Sequence, residues 1–297
     1  MLGDTELFPR SFNAVVIWRE RPWDSSIYID DYIVEVWKID PLTNEEGTRS
    51  YSTQRLATFR EQPPRIGSIK APSIYGNHVA YAHDNHRRTI VVDWTAVPSI
   101  NSEDGLSYSF FRIHILANPA KCILLPGKRI LLLHSDWIRV HHWGQYSQSS
   151  ALPNRRLSPH NSPIWFHKYQ NRGLNFRDVV PFLVGNTLRF VITTREGIGG
   201  VILPSTYDPT NHPTEVVTLF HGETSPSTIE HYGYHKAVIS THRSYFLFEY
   251  SWPDECSRYP GTVKLEMEYS RVFGVYFDEH RNCIVKVNQD KTTMYHV

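Results

Sequence analysis

Apolar and polar residues alternate along this chain in short runs, and the runs come in pairs. Gly76–Trp94 (GNHVAYAHDNHRRTIVVDW) and Gly127–Trp143 (GKRILLLHSDWIRVHHW) share one plan. Each has a Gly, an alternating apolar strand, an Asp-bearing tight turn, a second alternating strand and a closing Trp. Looser copies lie at Gly185–Leu203 and Lys236–Trp252. A period of two places one side chain in and the next out, which is the signature of a half-buried strand. Helical spacing is nearly absent, and Pro, Gly, Asn and Asp clusters punctuate the runs. Gly76, Gly127, Gly185 and Lys236 recur at intervals of about 50–58 residues, close to the period of four-stranded propeller blades.

The pattern predicts strands over Ala14–Trp18, Tyr32–Ile39 and Tyr51–Phe59, then four fuller units. The first unit is Ser68–Tyr75, Val79–His83, Thr89–Trp94 and Tyr108–Leu116. The second is Lys121–Leu125, Ile130–His134, Trp137–Trp143 and Ile164–Tyr169, with a long loop over Gly144–Pro163. The third is Val179–Val184, Leu188–Thr193, Gly200–Leu203 and Glu215–Phe220. The fourth is Thr228–Gly233, Ala237–Thr241, Tyr245–Tyr250 and Val263–Tyr269. Three short strands close the chain: Val272–Phe277, Cys283–Val287 and Thr292–Val297. The expected fold class is all-β, a β-propeller of five or six four-stranded blades. Residues 1–13 read as an extension or closing strand, and 14–297 as a single propeller domain. The incomplete sets at the two ends fit closure of one blade by both termini, or a propeller incomplete at the N-terminus.

Composition narrows the function classes. Lys plus Arg (31) balances Asp plus Glu (30), so no basic excess points to nucleic acid or to an anionic membrane. Cys122, Cys256 and Cys283 are odd in number and widely spaced, which argues against a disulfide framework. The opening MLGDTELFPRSF does not read as a secretory signal, and no apolar run approaches the ~20 residues of a membrane span. The expected setting is intracellular, cytoplasmic or nuclear, for a monomer without cofactor or metal.

Each residue that looks chemical has a structural reading. His83 and His86 sit in HDNHRR, where Asp84-Asn85 supply turn geometry. His141 and His142 are neighbours on a strand and point to opposite faces. Gly197–Gly200 (GIGG) lacks the Lys-Ser/Thr of a phosphate loop and reads as a tight hairpin turn. Asp24, Asp31, Asp84, Asp93, Asp136 and Asp178 are the carboxylates a propeller glycoside hydrolase would need, yet Asp84 and Asp136 occupy matching turns. Trp94, Trp143, Trp252 and Trp37 recur in register and read as packing between blades. Arg87-Arg88, Lys128-Arg129 and Arg155-Arg156 read as solvated loop positions.

The run RRTIVVDWTAVPSINSEDGLSYSFFRIHILANPAKCILLPGKRILLLHSDWIRVHHW (Arg87–Trp143) resembles the propeller region of F-box proteins from mushroom-forming fungi. The C-terminal YFDEHRNCIVKVNQDKTTMYHV resembles the last blade of the same chains. The resemblance implies a propeller that recruits a protein substrate to an SCF-type ubiquitin ligase. No amphipathic F-box segment precedes Ala14, so no adaptor-binding residue is carried over. The expectation is a non-catalytic protein-interaction scaffold. Its recognition surface is placed on the turns between the second and third strands of the blades: Asp84, His86, Arg88, Trp137, Arg195, His242 and Arg243. The competing class is a propeller hydrolase with channel carboxylates.

Overall fold

The architecture follows from where the alternating runs end and what turns them back. In the computed structural model, the described residues are 11–20, 31–43, 49–61, 68–83, 88–97, 111–146, 148–149, 162–169, 179–194, 197–208, 214–221, 228–240, 245–255, 262–265, 272–278, 283–288 and 292–296. They carry strands and two short 3-10 turns, in six antiparallel sheets laid down in chain order. The chain is all-β, of the β-propeller class.

The first sheet is β1 (Phe12–Glu20), β2 (Asp31–Thr43) and β3 (Arg49–Glu61). The second is built from β4 (Ile69–Tyr75), β5 (His78–His83), β6 (Arg88–Asp93) and β7 (Arg112–Ile115). The third comprises β8 (Lys121–Leu125), β9 (Arg129–His134) and β10 (Trp137–His142). The chain then makes β11 (Gln148–Ser149) before β12 (Trp165–Lys168) completes that sheet. The fourth contains β13 (Pro181–Val184), β14 (Thr187–Thr194), β15 (Gly197–Pro204) and β16 (Glu215–His221). The fifth contains β17 (Thr228–Tyr232), β18 (Lys236–Ser240), β19 (Tyr245–Glu249) and β20 (Thr262–Leu265). The sixth is β21 (Val272–Asp278), β22 (Cys283–Asn288) and β23 (Thr292–His296).

Within sheets two to five successive strands pair as meanders, except that β11 returns from after β10 to the edge of sheet two. The glycine that opens a unit sits between its first two strands. Tyr75 pairs with His78, and Val184 with Thr187, so each link is a two-residue turn. Gly76 and Gly185 have φ near +54° and +55°, and a Cβ on either would meet nothing within 4 Å. Their requirement is conformational: a two-residue turn of this hand needs a positive φ at its first central residue.

Three local readings need correction. The GIGG segment is strand, not turn. Gly197 opens β15, and Gly199 and Gly200 pair with Ile192 and Val191 on one side and with Thr218 and Val217 on the other. The long loop after Trp143 contains β11, whose Gln148 and Ser149 pair with Ile113 and Arg112 of the preceding sheet. Two residues carry no periodicity that would reveal such a strand. Trp94 and Trp143 do not end their strands; each opens a 3-10 turn, and Asp93 caps the first by accepting from the Thr95 N–H.

The Cα trace divides into two compact units, residues 1–133 with 139–166, and residues 134–138 with 167–297. In the first, Val34, Val36 and Phe59 of sheet one pack with Val79, Tyr81, Ile90 and Val92 of sheet two. The inner strands of sheets two and three also meet, where the Cys122 thiol donates to the Ala71 carbonyl at 2.6 Å and the Leu124 N–H donates to Ser73 Oγ at 2.9 Å. In the second, Phe190, Ile192 and Val201 are buried in sheet four, and Val238 and Leu247 pack with Phe277 and Ile284. No helix among the described residues is long and apolar enough to cross a membrane.

Candidate functional site

Of the seven turn residues expected to form a recognition surface, Arg88 and Trp137 are described. Asp84, His86, Arg195, His242 and Arg243 lie outside the described residues, as do Asp24 and Asp178. Trp137 opens β10, and its ring stacks on His134 with centroids 4.9 Å apart and planes 8° from parallel. The turn between them is held by Asp136, whose carboxylate contacts His134 Nδ1 and whose carbonyl accepts from the Tyr169 N–H at 2.9 Å. Tyr169 in turn meets the His167 ring edge-on at 4.6 Å. The result is two half-exposed ring pairs, His134–Trp137 and His167–Tyr169, joined through Asp136: its carboxylate meets the first and its backbone carbonyl the second.

The patch contains Ser135, His134 and Asp136 but not a nucleophilic triad. Ser135 Oγ lies 3.4 Å from His134 Nδ1, and Asp136 contacts that same nitrogen. A triad needs the acid on one ring nitrogen and the nucleophile on the other.

The tryptophan series is structural, with one exception. Trp94 donates to the Gly76 carbonyl at 3.2 Å and packs on the core shared by sheets one and two. Trp143 is buried against His78 of the preceding sheet, ring centroids 4.5 Å apart. Trp252 packs back onto Arg189 and Gly200 of sheet four. Trp37 departs from this plan. It lies mid-strand in β2, donates to Glu35 at 3.2 Å and is covered by the Arg55 guanidinium.

Around Trp252 the second unit assembles a polar cluster. The Arg189 guanidinium lies 5.1 Å from the indole centroid and donates to Asp254 and, at 2.9 Å, to the Tyr234 hydroxyl. Tyr234 stacks on Trp252 and donates to Glu255 at 2.8 Å. Two neighbouring carboxylates therefore share one cation. Hydrogen bonds from Arg189 hold Asp254 below the usual carboxylate range, which unsuits it as a proton donor.

Sequence reasoning missed a second cluster, in the first unit. Glu61, 1% exposed at the end of β3, accepts from the Tyr81 hydroxyl at 2.8 Å and from Arg112 Nε at 2.9 Å. His83 Nε2 lies 3.7 Å away. Burial pushes the Glu61 carboxyl up, and Arg112 and Tyr81 pull it back. The cross-strand rows Tyr81–Ile90–His114 and Val79–Val92–Arg112 put His114 and Arg112 on the same face of sheet two as Tyr81, with His83 and Arg88 one pair along. A Glu at a strand end and an Arg fifty residues later carry no sequence signal of pairing; only the register brings them together. The basic residues also differ from expectation. Arg129 is buried and donates to the Pro126 carbonyl at 2.9 Å, and Arg88 Nε is buried beside His114.

Among the described residues no group of three or more His, Cys, Asp or Glu side chains could hold a metal ion. His141 is buried and hydrogen-bonded to Tyr146, whereas His142 is half-buried and lies beside Gly144, so the two do not converge. Burial pushes the Cys122 thiol up to about 12, far from a reactive thiolate.

Two buried histidines give a pH signature. Burial, with Arg88 and Arg112 for His114 and with Arg139 for His141, pushes each imidazole from 6.5 down to about 4. Between those values the unfolded chain binds more protons than the folded one. Stability is therefore full above pH ~6.5 and falls as pH drops toward ~4, by up to about 3 kcal/mol per histidine. Urea unfolding followed across that range should show the loss, and His141→Gln should shrink it. A flat profile in the parent protein would contradict the burial of neutral imidazoles.

No family model matches the chain, and no curated protein is similar to it in sequence. Among solved structures it is similar to the crystal structure of Citrobacter koseri AztD, at 11% identity and a TM-score of 0.46, over 94% of this chain and 69% of that one. A likeness of this extent assigns no activity.

Proposed function

We propose that this chain is a non-catalytic protein-interaction module. The observation that carries the reading is the half-exposed patch on the hairpin turn of the third sheet, where Trp137 stacks on His134 beside Asp136 and Tyr169, ring against His167, bonds the Asp136 carbonyl. Aromatic side chains fixed by stacking, with a polar group at their edge, are the composition of interface anchors. Trp137 brings a large apolar area and loses little entropy when a partner covers it. The partner class implied by the resemblance to fungal F-box propellers is a protein destined for ubiquitin ligation.

The competing hydrolase needs two carboxylates flanking a scissile bond, one of them protonated. Asp254 and Glu255 are neighbours, but both are engaged by Arg189 and Tyr234, and Glu61 is locked on Arg112. That engagement favours the binding module.

The test is affinity capture from the source cell with the parent protein and with Trp137→Ala, each checked by circular dichroism. Truncating an anchor costs about 2 kcal/mol or more, so recovery of a specific protein should fall by at least about 30-fold at limiting bait. An unchanged set of captured proteins, or release of reducing sugar from glycans by the purified chain, would overturn the proposal.

A further inference from the structure

Among the described residues, the polar end of the second sheet sets several basic side chains against one carboxylate, that of Glu61. Arg88, Arg112, His83, His114 and Tyr81 share the sheet face toward sheet one, and Glu61 is the acid that meets them. With His114 neutral, two guanidiniums and one described carboxylate share this face. Glu61 is committed to Arg112 and Tyr81. His114 is 6% exposed, and among the described residues neither of its ring nitrogens has a hydrogen-bond partner. Arg88 Nε is likewise buried without one. Buried donors left unsatisfied cost free energy, and native structures rarely leave several together.

We propose that Arg88 and His114, backed by Arg112, form an oxyanion-binding site that takes one carboxylate or phosphate group. An oxyanion accepts from the guanidinium fork and from the single N–H of a neutral imidazole, and its charge offsets the excess. A cation is disfavoured by two fixed positive charges on the same face. The site lies in the first unit and does not depend on the protein-binding reading. Burial and the two arginines hold His114 neutral at pH 7; an anion seated against it opposes that shift.

The test is imidazole 15N NMR of the full chain at pH 7, titrated separately with sodium phosphate and sodium acetate against sodium chloride at matched ionic strength. A saturable shift of the His114 nitrogens in either arm, absent with chloride, is the expected result. Phosphate alone identifies a phosphate site, acetate alone a carboxylate site, and both a general oxyanion site. Arg88→Gln should weaken binding by at least about tenfold with the fold unchanged. If that variant does not fold, Arg88→Lys, which keeps the charge and loses the fork, should still weaken it. No saturable shift in either arm, or equal affinity in the Arg88 variant, would overturn the site.

Discussion

Trp252→Ala is expected to be among the most damaging single changes in the second unit, lowering stability by about 3–5 kcal/mol. The indole is 1% exposed and donates through Nε1 to the Tyr234 carbonyl at 3.0 Å. Its removal leaves a cavity against β15 and uncovers one face of the Arg189 guanidinium. Gly200 reports the same contact from the other side. A Cβ built there would stand 2.5 Å from Cζ3 of the indole, inside any real contact distance. Gly200→Ala should therefore also destabilise, by about 1–3 kcal/mol through overpacking. The double variant tests the shared cause, because the cavity made by Trp252→Ala admits the alanine methyl. Gly200→Ala should cost far less in that background, a non-additivity that urea unfolding of the four proteins would measure. Simple additivity would show that the indole does not explain the glycine.

Glu61→Ala is expected to cost about as much in the first unit, about 3–5 kcal/mol, for an electrostatic reason. The carboxylate removed is the group that meets Arg112 Nε and the Tyr81 hydroxyl, both buried. A buried guanidinium that loses this carboxylate bears a desolvation cost that the lost attraction had offset. The decisive comparison is Glu61→Leu combined with Arg112→Met. Removing both charges and keeping the volume should recover most of the loss. If the pair variant is as unstable as Glu61→Ala, volume rather than charge is the cause.

The meander was legible because period-two burial leaves a mark at each strand. Lys121–Leu125 is found with the same bounds by pattern and by hydrogen bonding. Trp94, Trp143 and Trp252 were legible as packing residues because a large aromatic at a fixed distance from a turn has one cheap use in stacked sheets. What stayed hidden depends on register between distant segments. Glycines read as turn formers in GIGG, since no local pattern shows an indole from another sheet lying over Gly200. Arg88 read as a solvated loop position and nothing singled out Glu61 or His114, because the face that Arg88 and His114 share emerges only when β5, β6 and β7 are aligned, and Glu61 reaches it from β3. Of the expected turn surface, Trp137 was found by position alone; its partners His134, His167 and Tyr169 came from stacking geometry that one-letter code does not carry.

β11 has a consequence for how the chain comes to be folded. Gln148 and Ser149 are made after β8, β9 and β10, yet they pair with β7 of the sheet before. As the protein emerges from the ribosome, the edge of that earlier sheet stays uncovered until some thirty further residues have followed β7, roughly two to six seconds at ordinary synthesis rates. For that interval its outer strand is an open template for any extended peptide nearby, and the nascent chain's exposure to mispairing is greatest there.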